Sequence, residues 1–210
     1  MTILSPNDSP TGLPVNWDTS AACVKLRMAP NVDLIEPGDI ILFAPIKPAL
    51  HQKGIISAQK GLPSNSVRWT HAAIAFDRNR IVEAVVKGGV MCGNLFDSCG
   101  DHYIKIRRPV GLDKVERMRF AMEALSNIST KYSLLYAAKI GLSRRLPNMF
   151  PDNLFPREKD VVCSQFISNA FVKAANSKLI EDRLFNVTPA HIDSTNVLQD
   201  VSIGWRPLVQ

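Results

Sequence analysis

Cys163, Phe166, Ile167, Ala170, Phe171 and Ala174 fall at i, i+3, i+4, i+7, i+8 and i+11, an unbroken apolar stripe down one side of a helix. Such a stripe has to be covered by a sheet or a second helix. Asp160 is placed to cap the start of this helix, which puts Cys163 in its first turn. There the unpaired backbone N–H groups and the helix dipole favour an anion, so a thiol ionises more readily than in water. A free cysteine is also among the most buried residue types, and by position alone the commoner reading is a small core residue.

The surface that could cover the stripe lies upstream. Glu36-Pro37-Gly38-Asp39 supplies turn chemistry directly before Ile40-Ile41-Leu42-Phe43, a run with the β-branched and aromatic content of a buried strand. His71-Ala72-Ala73-Ile74-Ala75-Phe76 and Ile81-Val82-Glu83-Ala84-Val85-Val86 flank the polar Asp77-Arg78-Asn79-Arg80, the pattern of a β-hairpin. A further strand is expected over Tyr103 to Arg107, stopping at Pro109. Val115, Met118, Met122 and Leu125 then recur every three or four residues, predicting a helix with a capping box from Asp113 to Glu116. A helix is expected around Thr19 to Met28 and another from Lys131 through Ile140. Long loops are expected over residues 45–66 and around Pro147, Pro151 and Pro156, and Thr188-Pro189 opens a helical turn before a closing strand at Val201 to Trp205. The fold class expected is α+β, with residues 1–35 as a lead-in containing a short helix and 36–210 as one domain.

With 210 residues, 46% of them apolar, the chain can bury a core without disulfides or metal, which excludes disordered and disulfide-stapled scaffolds. Its four cysteines read as thiols. The N-terminus offers neither a basic leader nor an apolar stretch of the ~7–15 residues a secretory signal uses, and no run approaches the ~18 apolar residues of a membrane span. The expectation is a chain that is cytoplasmic as synthesised, without an integral membrane segment. The net charge of +6 splits evenly between the two halves, and no basic stripe interleaved with aromatics points to nucleic acid. Residues 131–159, leading into Cys163, carry an excess of +4, which favours a thiolate and an anionic substrate. Cys92, Cys99 and His102 match no common zinc spacing, so neither a metal nor a cofactor is expected. His51 and His191 read as surface or loop residues.

Cys163 gains weight from possible partners. His71 begins a strand of small and apolar neighbours, and Glu83 interrupts a run in which a carboxylate is costly to bury unless partnered. Pairing symmetric about the Asp77 to Arg80 turn sets residue 71 opposite about 86 and Glu83 opposite about 74, which does not join the two. A bulge or a turn shifted by one to three residues would bring Glu83 within diagonal reach. A nucleophile at a helix start, a base on a strand and a carboxylate on the next strand make a triad by role, in chain order His, Glu, Cys.

Taken together, Asp39 to Phe43, Trp69-Thr70-His71-Ala72-Ala73-Ile74, Val82-Glu83-Ala84, Val162-Cys163-Ser164-Gln165-Phe166 and Thr188-Pro189 resemble the circularly permuted branch of the NlpC-type papain-like hydrolases, the YiiX-like group. The resemblance spans roughly residues 36–195. It implies an antiparallel half-barrel sheet packed on helices, with Cys163 as nucleophile, His71 as general base and acid, and Glu83 as the group orienting His71. It also implies a substrate-binding role for Tyr132. Trp69, beside His71, reads from its position as either a core anchor or a cleft wall, and Ser164, beside Cys163, as a substrate-binding candidate. Ala73 stands where such proteins commonly have glycine.

The activity implied is a cysteine amidase or peptidase acting on a peptidoglycan stem peptide or similar small anionic peptide. Reaching a cell wall would take a non-Sec export route, and a secretion-apparatus or inhibitor protein is then an expected partner. Lipid acyl transfer or ester hydrolysis of the lecithin:retinol acyltransferase-like type is the main alternative, and a non-catalytic interaction module on the same fold is the second.

Overall fold

The computed structural model describes residues 28–99, 102–132, 162–181, 186–203 and 205–207. A six-stranded antiparallel sheet organises them into an α+β fold. It contains β2 (Ile40–Pro45), β3 (His71–Ala75), β4 (Arg80–Val85), β5 (Gly89–Asn94), β6 (His102–Pro109) and β7 (Leu198–Val201), in the spatial order β5-β4-β3-β2-β6-β7. A separate two-stranded ribbon pairs β1 (Met28–Pro30) with β8 (Trp205–Pro207). The helices are α1 (Leu50–Ala58), α2 (Leu95–Cys99), α3 (Lys114–Leu125), α4 (Cys163–Ala175) and α5 (Pro189–Ser194). Among the described residues no helix is long and apolar enough to cross a membrane.

The sheet buries both faces, which is why its central strands read as continuous apolar runs. One face carries Ile40, Leu42, Ala72, Ile74, Val82 and Ala84 against the stripe of α4 (Phe166, Ile167, Ala170, Phe171) and against Phe120 of α3. The other carries Ile41, Phe43, Ala73, Ala75, Ile81, Ile104 and Ile106, covered by Ile35, Leu95 and Ile203.

Helix α3 starts at the expected capping box: Asp113 accepts from the Glu116 N–H at 2.8 Å, and Glu116 accepts from the Asp113 N–H at 2.9 Å. Its buried side is not the expected one. Arg117, Phe120, Ala121 and Ala124 face inward, whereas Val115, Met118 and Met122 are exposed. Small alanines let α3 approach α4 closely, Phe120 meets Phe171 edge to face at a centroid separation of 5.5 Å, and Arg117 is drawn in by Glu36. Periodicity identifies a helix but does not choose between two stripes when the polar member of one is paired.

Residues 45–66, expected as a loop, contain α1, whose start is held by Gln52 accepting the Ala49 N–H at 2.8 Å. Strand β5 and helix α2 were not anticipated. Of the helix expected over residues 19–28, only Met28 is described, and it lies in β1. The helix expected from Lys131 and the following proline-rich loop fall outside the described residues beyond Tyr132, and Lys131 and Tyr132 themselves are not helical.

The turn before β2 is clamped from two sides. Fully buried Asp39 accepts from Arg108 Nε at 2.7 Å, from Arg108 Nη2 at 2.8 Å and from the Glu36 N–H at 2.8 Å. Burial pushes the Asp39 carboxyl upward against the pull of Arg108. Gly38 has φ +83°, and a Cβ there would lie 2.5 Å from the Arg117 carbonyl oxygen. Gly38→Ala therefore forces both a left-handed conformation and a backbone collision. It is expected to lower stability by about 1–3 kcal/mol, read as a reduced urea midpoint at unchanged slope.

Candidate active site

The site forms where β3 and β4 part. Their paired residues are Ala73↔Glu83, Ile74↔Val82 and Ala75↔Ile81, so a five-residue loop, 76–80, closes the hairpin. Asp77 organises that loop by accepting from the Asn79 and Arg80 N–H groups at 3.1 and 2.7 Å, and the Phe76 N–H donates to the Arg80 carbonyl at 2.9 Å. This register differs by one residue from pairing about the Asp77 to Arg80 turn. Because side chains alternate along a strand, that single step moves Glu83 to the same sheet face as His71, diagonally across from it. His71 Nε2 donates to Glu83 Oε2 at 2.6 Å.

The paired residues of β3 and β4 end at Ala73↔Glu83 although β3 begins at His71 and β4 continues to Val85. Alternation points the Ala72 N–H toward β4, and it is the Cys163 sulfur that accepts it. The sulfur also accepts from the Ser164 N–H and is hydrogen-bonded to the His71 ring. With Nε2 taken by Glu83, Nδ1 is the ring nitrogen that serves the thiol. The Phe43 ring, 5.7 Å from the imidazole centroid, backs the ring on the β2 side. Cys163 is 7% exposed, and the His71 and Glu83 side chains are 26% and 13% exposed, so the imidazole is the member of the set most open to solvent.

Helix α4 begins at Cys163, with Val162 in extended conformation as its N-cap and no side-chain cap. Asp160, expected in that role, lies outside the described residues. Of the first-turn N–H groups of α4, that of Ser164 reaches the sulfur, and among the described residues the N-cap offers no competing side-chain oxygen.

Burial disfavours charge on both Cys163 and His71, yet each overrides it for the other. The neighbouring imidazolium lowers the thiol below its usual value, and the neighbouring thiolate together with Glu83 raises His71 to about 10. Both shifts have the sign that favours a thiolate–imidazolium pair over the neutral thiol and imidazole. Tyr132 is held protonated by burial and by the thiolate charge nearby, leaving its phenol a hydrogen-bond donor beside the sulfur.

Trp69 and Ser164 take other places than a substrate cleft. Trp69 is fully buried in the core shared with Cys163 and Phe166, the place of a core anchor. Ser164 is buried and its hydroxyl donates to the Val187 carbonyl at 2.6 Å, tying the start of α4 to the segment before α5. Its backbone N–H, not its side chain, reaches the sulfur.

His191 is not a surface residue. It is buried, and its Nδ1 accepts the Thr188 N–H at 3.1 Å at the head of α5. His51 is exposed on α1. The basic segment 131–159 falls outside the described residues except for Lys131 and Tyr132.

Two supporting residues were not anticipated. The fully buried amide of Gln59 donates to the Val67 and Trp69 carbonyls at 2.9 Å and accepts the Ala190 N–H at 3.0 Å, which fixes the chain entering β3 against α5. Gly93 on β5 lies beneath the Glu83 carboxylate: a Cβ there would sit 2.9 Å from Glu83 Oε1. A glycine inside a strand is a signal for such a close approach, and only knowledge of β5 assigns it. Among the described residues no group of three or more His, Cys, Asp or Glu is arranged to hold a metal ion.

No protein-family model matches the chain, and no curated protein matches its sequence. In fold it is similar to the crystal structure of metalloprotein YiiX from Escherichia coli O157:H7, at 15% identity and a TM-score of 0.56, over 80% of this chain and 96% of that one.

The electrostatics set the pH behaviour. Alkylation of Cys163 by iodoacetamide is expected to follow the lowered thiol value, so its rate falls off at a lower pH than that of a free cysteine peptide. Glu83→Gln removes the anion that holds His71 charged, so the His71 value falls and the Cys163 value rises. At a working pH below the thiol value, the alkylation rate should drop about tenfold for each unit the thiol moves up. An unchanged pH profile in Glu83→Gln would separate Glu83 from the pair.

Proposed function

We propose that this chain is a cysteine hydrolase on a permuted papain-like (NlpC-type) fold that cleaves an amide bond in a small peptide, such as a peptidoglycan stem peptide. The observation that carries the reading is the hydrogen-bonded series Cys163, His71, Glu83, with the sulfur at an uncapped helix start. A structural cysteine has no use for an imidazole whose other nitrogen is held by a carboxylate. The likeness in fold to YiiX, whose group the sequence motifs resemble, supports the permuted arrangement.

In this mechanism the Cys163 thiolate attacks the scissile carbonyl carbon. The resulting oxyanion accepts from the Cys163 N–H and the Tyr132 phenol. As the tetrahedral species collapses and the C–N bond breaks, the proton on His71 Nδ1 passes to the leaving amine, which departs neutral and leaves a thioester on Cys163. Neutral His71 then takes a proton from water as its oxygen attacks the thioester. The second collapse releases the carboxylic acid and restores the thiolate–imidazolium pair. Glu83 keeps the ring oriented throughout and stabilises its charged form. Hydrolysis needs both thiolate and imidazolium, so its rate is expected to rise through the lowered Cys163 value and fall again as pH passes about 10. If the substrate is a cell-wall peptide, the chain acts as an exported effector, with an inhibitor or secretion protein as its partner.

The test incubates the protein with purified peptidoglycan fragments and, separately, with phospholipid vesicles, and identifies products by mass. New amines from the fragments, absent with Cys163→Ala, are expected. Release of fatty acid or acyl transfer without new amines would replace the amidase reading with a lipid-acyl one, and full turnover by Cys163→Ala would end the cysteine mechanism.

A further inference from the structure

The hairpin joining β4 to β5 lies at the end of the sheet where β3 begins with His71. Val85 pairs with Gly89, leaving a three-residue loop, 86–88, in which the Gly88 N–H donates to the Val85 carbonyl at 3.3 Å. Gly89 follows with φ +69°, the left-handed residue that a loop of this length commonly calls for. A second constraint on Gly89 does not follow from the turn. A Cβ there would lie 2.3 Å from the Thr130 carbonyl oxygen, a backbone atom of a segment distant in sequence.

That segment is the chain leaving α3. It winds through hydrogen bonds from the Asn127, Ile128 and Thr130 N–H groups, each at 3.1 Å, to the Ala124, Leu125 and Asn127 carbonyls, and Ser129 takes a left-handed φ of +73°. It is then pinned to β5, the outermost strand on its side of the sheet. The Val90 N–H donates to the Thr130 carbonyl at 2.8 Å, and the Ser129 N–H donates to the Val90 carbonyl at 3.0 Å. Two residues after Thr130 comes Tyr132, packed against the core cluster that holds Cys163, with the thiolate charge acting on its phenol. A left-handed serine and a glycine without room for a Cβ therefore meet across two hydrogen bonds just before the tyrosine. A plain connection out of α3 requires neither.

Resting on the hydrolase reading above, we propose that Gly89 is a positioning residue: by letting the Thr130 carbonyl close on β5, it sets the place of the Tyr132 phenol as oxyanion donor beside Cys163. A methyl group at residue 89 would need the Thr130 carbonyl to retreat by about 1 Å to reach ordinary contact. Only one residue separates Thr130 from Tyr132, so the connection has little slack to absorb the shift. A misplacement of ~1 Å in a group that meets the transition state costs on the order of a hundredfold in rate. Cys163, His71 and Glu83 are held by α4, β3 and β4, so the nucleophile keeps its own supports.

The test compares two reagents on Cys163. p-Nitrophenyl acetate acylates the sulfur through a tetrahedral oxyanion: the C–S bond forms, the ester C–O bond breaks and nitrophenolate leaves. Iodoacetamide loses iodide to the same thiolate without forming an oxyanion. The ratio of the two rates at one pH, read from the nitrophenolate burst and from intact mass, reports the oxyanion donors with the thiolate fraction divided out. Tyr132→Phe and Gly89→Ala should each lower this ratio about ten- to a hundredfold. The double variant should fall no further than Tyr132→Phe, because both changes remove the same donor. Gly111→Ala places a side chain at a similar φ of +85° with nothing within 4 Å, and should keep the wild-type ratio, which separates the collision from the general cost of a left-handed side chain. Should Gly89→Ala fail to fold, Ser129→Val puts a β-branched residue at the left-handed position, displaces the segment from its other side and should lower the ratio in the same way. A wild-type ratio in the folded variant, or losses that multiply in the double variant, would overturn the role of Gly89 while leaving the nucleophile in place. An unchanged ratio in Tyr132→Phe would remove the donor and the proposal with it. Failure of wild-type Cys163 to react with either reagent would overturn the hydrolase reading itself.

Discussion

The candidate site depends on the register of one hairpin. With a five-residue loop closing it, Glu83 stands opposite Ala73 and shares a face with His71. Shortened by one residue, the same two strands would keep their apolar content and hydrogen-bond ladder but send the carboxylate into the opposite layer, unpartnered. The loop length is set locally, by the Asp77 side chain satisfying two backbone N–H groups. A single Asx turn thereby decides whether His71 has an acceptor for Nε2.

The second determinant is an interruption. Where the paired residues of β3 and β4 stop, the Ala72 N–H is free to meet the sulfur at the start of α4. A fully paired sheet would have satisfied that N–H internally, and a side-chain cap would have occupied the first turn of the helix. The site thus uses backbone donors that regular secondary structure normally consumes. The same economy appears in Gly93, whose missing side chain makes room for the Glu83 carboxylate, and in Gln59, whose one amide joins α1, the entry to β3 and the head of α5.

Much of the architecture is legible residue by residue. The stripe from Cys163 to Ala174 announces α4, the Asp113 and Glu116 pair announces the start of α3, and the two apolar runs around Asp77 to Arg80 announce the hairpin. The errors have identifiable causes. The exposed stripe of α3 matched the helical period as well as the buried one, and what turned the helix was the tertiary pairing of Arg117 with Glu36 and the fit of Ala121 and Ala124 against α4. Trp69 was ambiguous because an aromatic residue beside a histidine suits a core and a cleft wall alike. Residues 45–66 read as a loop from their prolines and glycines, whereas Gln52 supplies the start of a helix there.

The sequence by itself determined which chemical groups are available and on what kind of element each sits: a thiol at a helix start, an imidazole at a strand start, a carboxylate in an otherwise apolar strand. These follow from local periodicity and capping, which act over a few residues. Tertiary structure alone decided that the three meet and that Ser164 and Trp69 serve packing. The reason is that side-chain direction in a sheet alternates with every residue, so contacts between distant elements depend on register to the single residue, and the approach of α4 to the sheet is settled by long-range packing that local sequence does not encode.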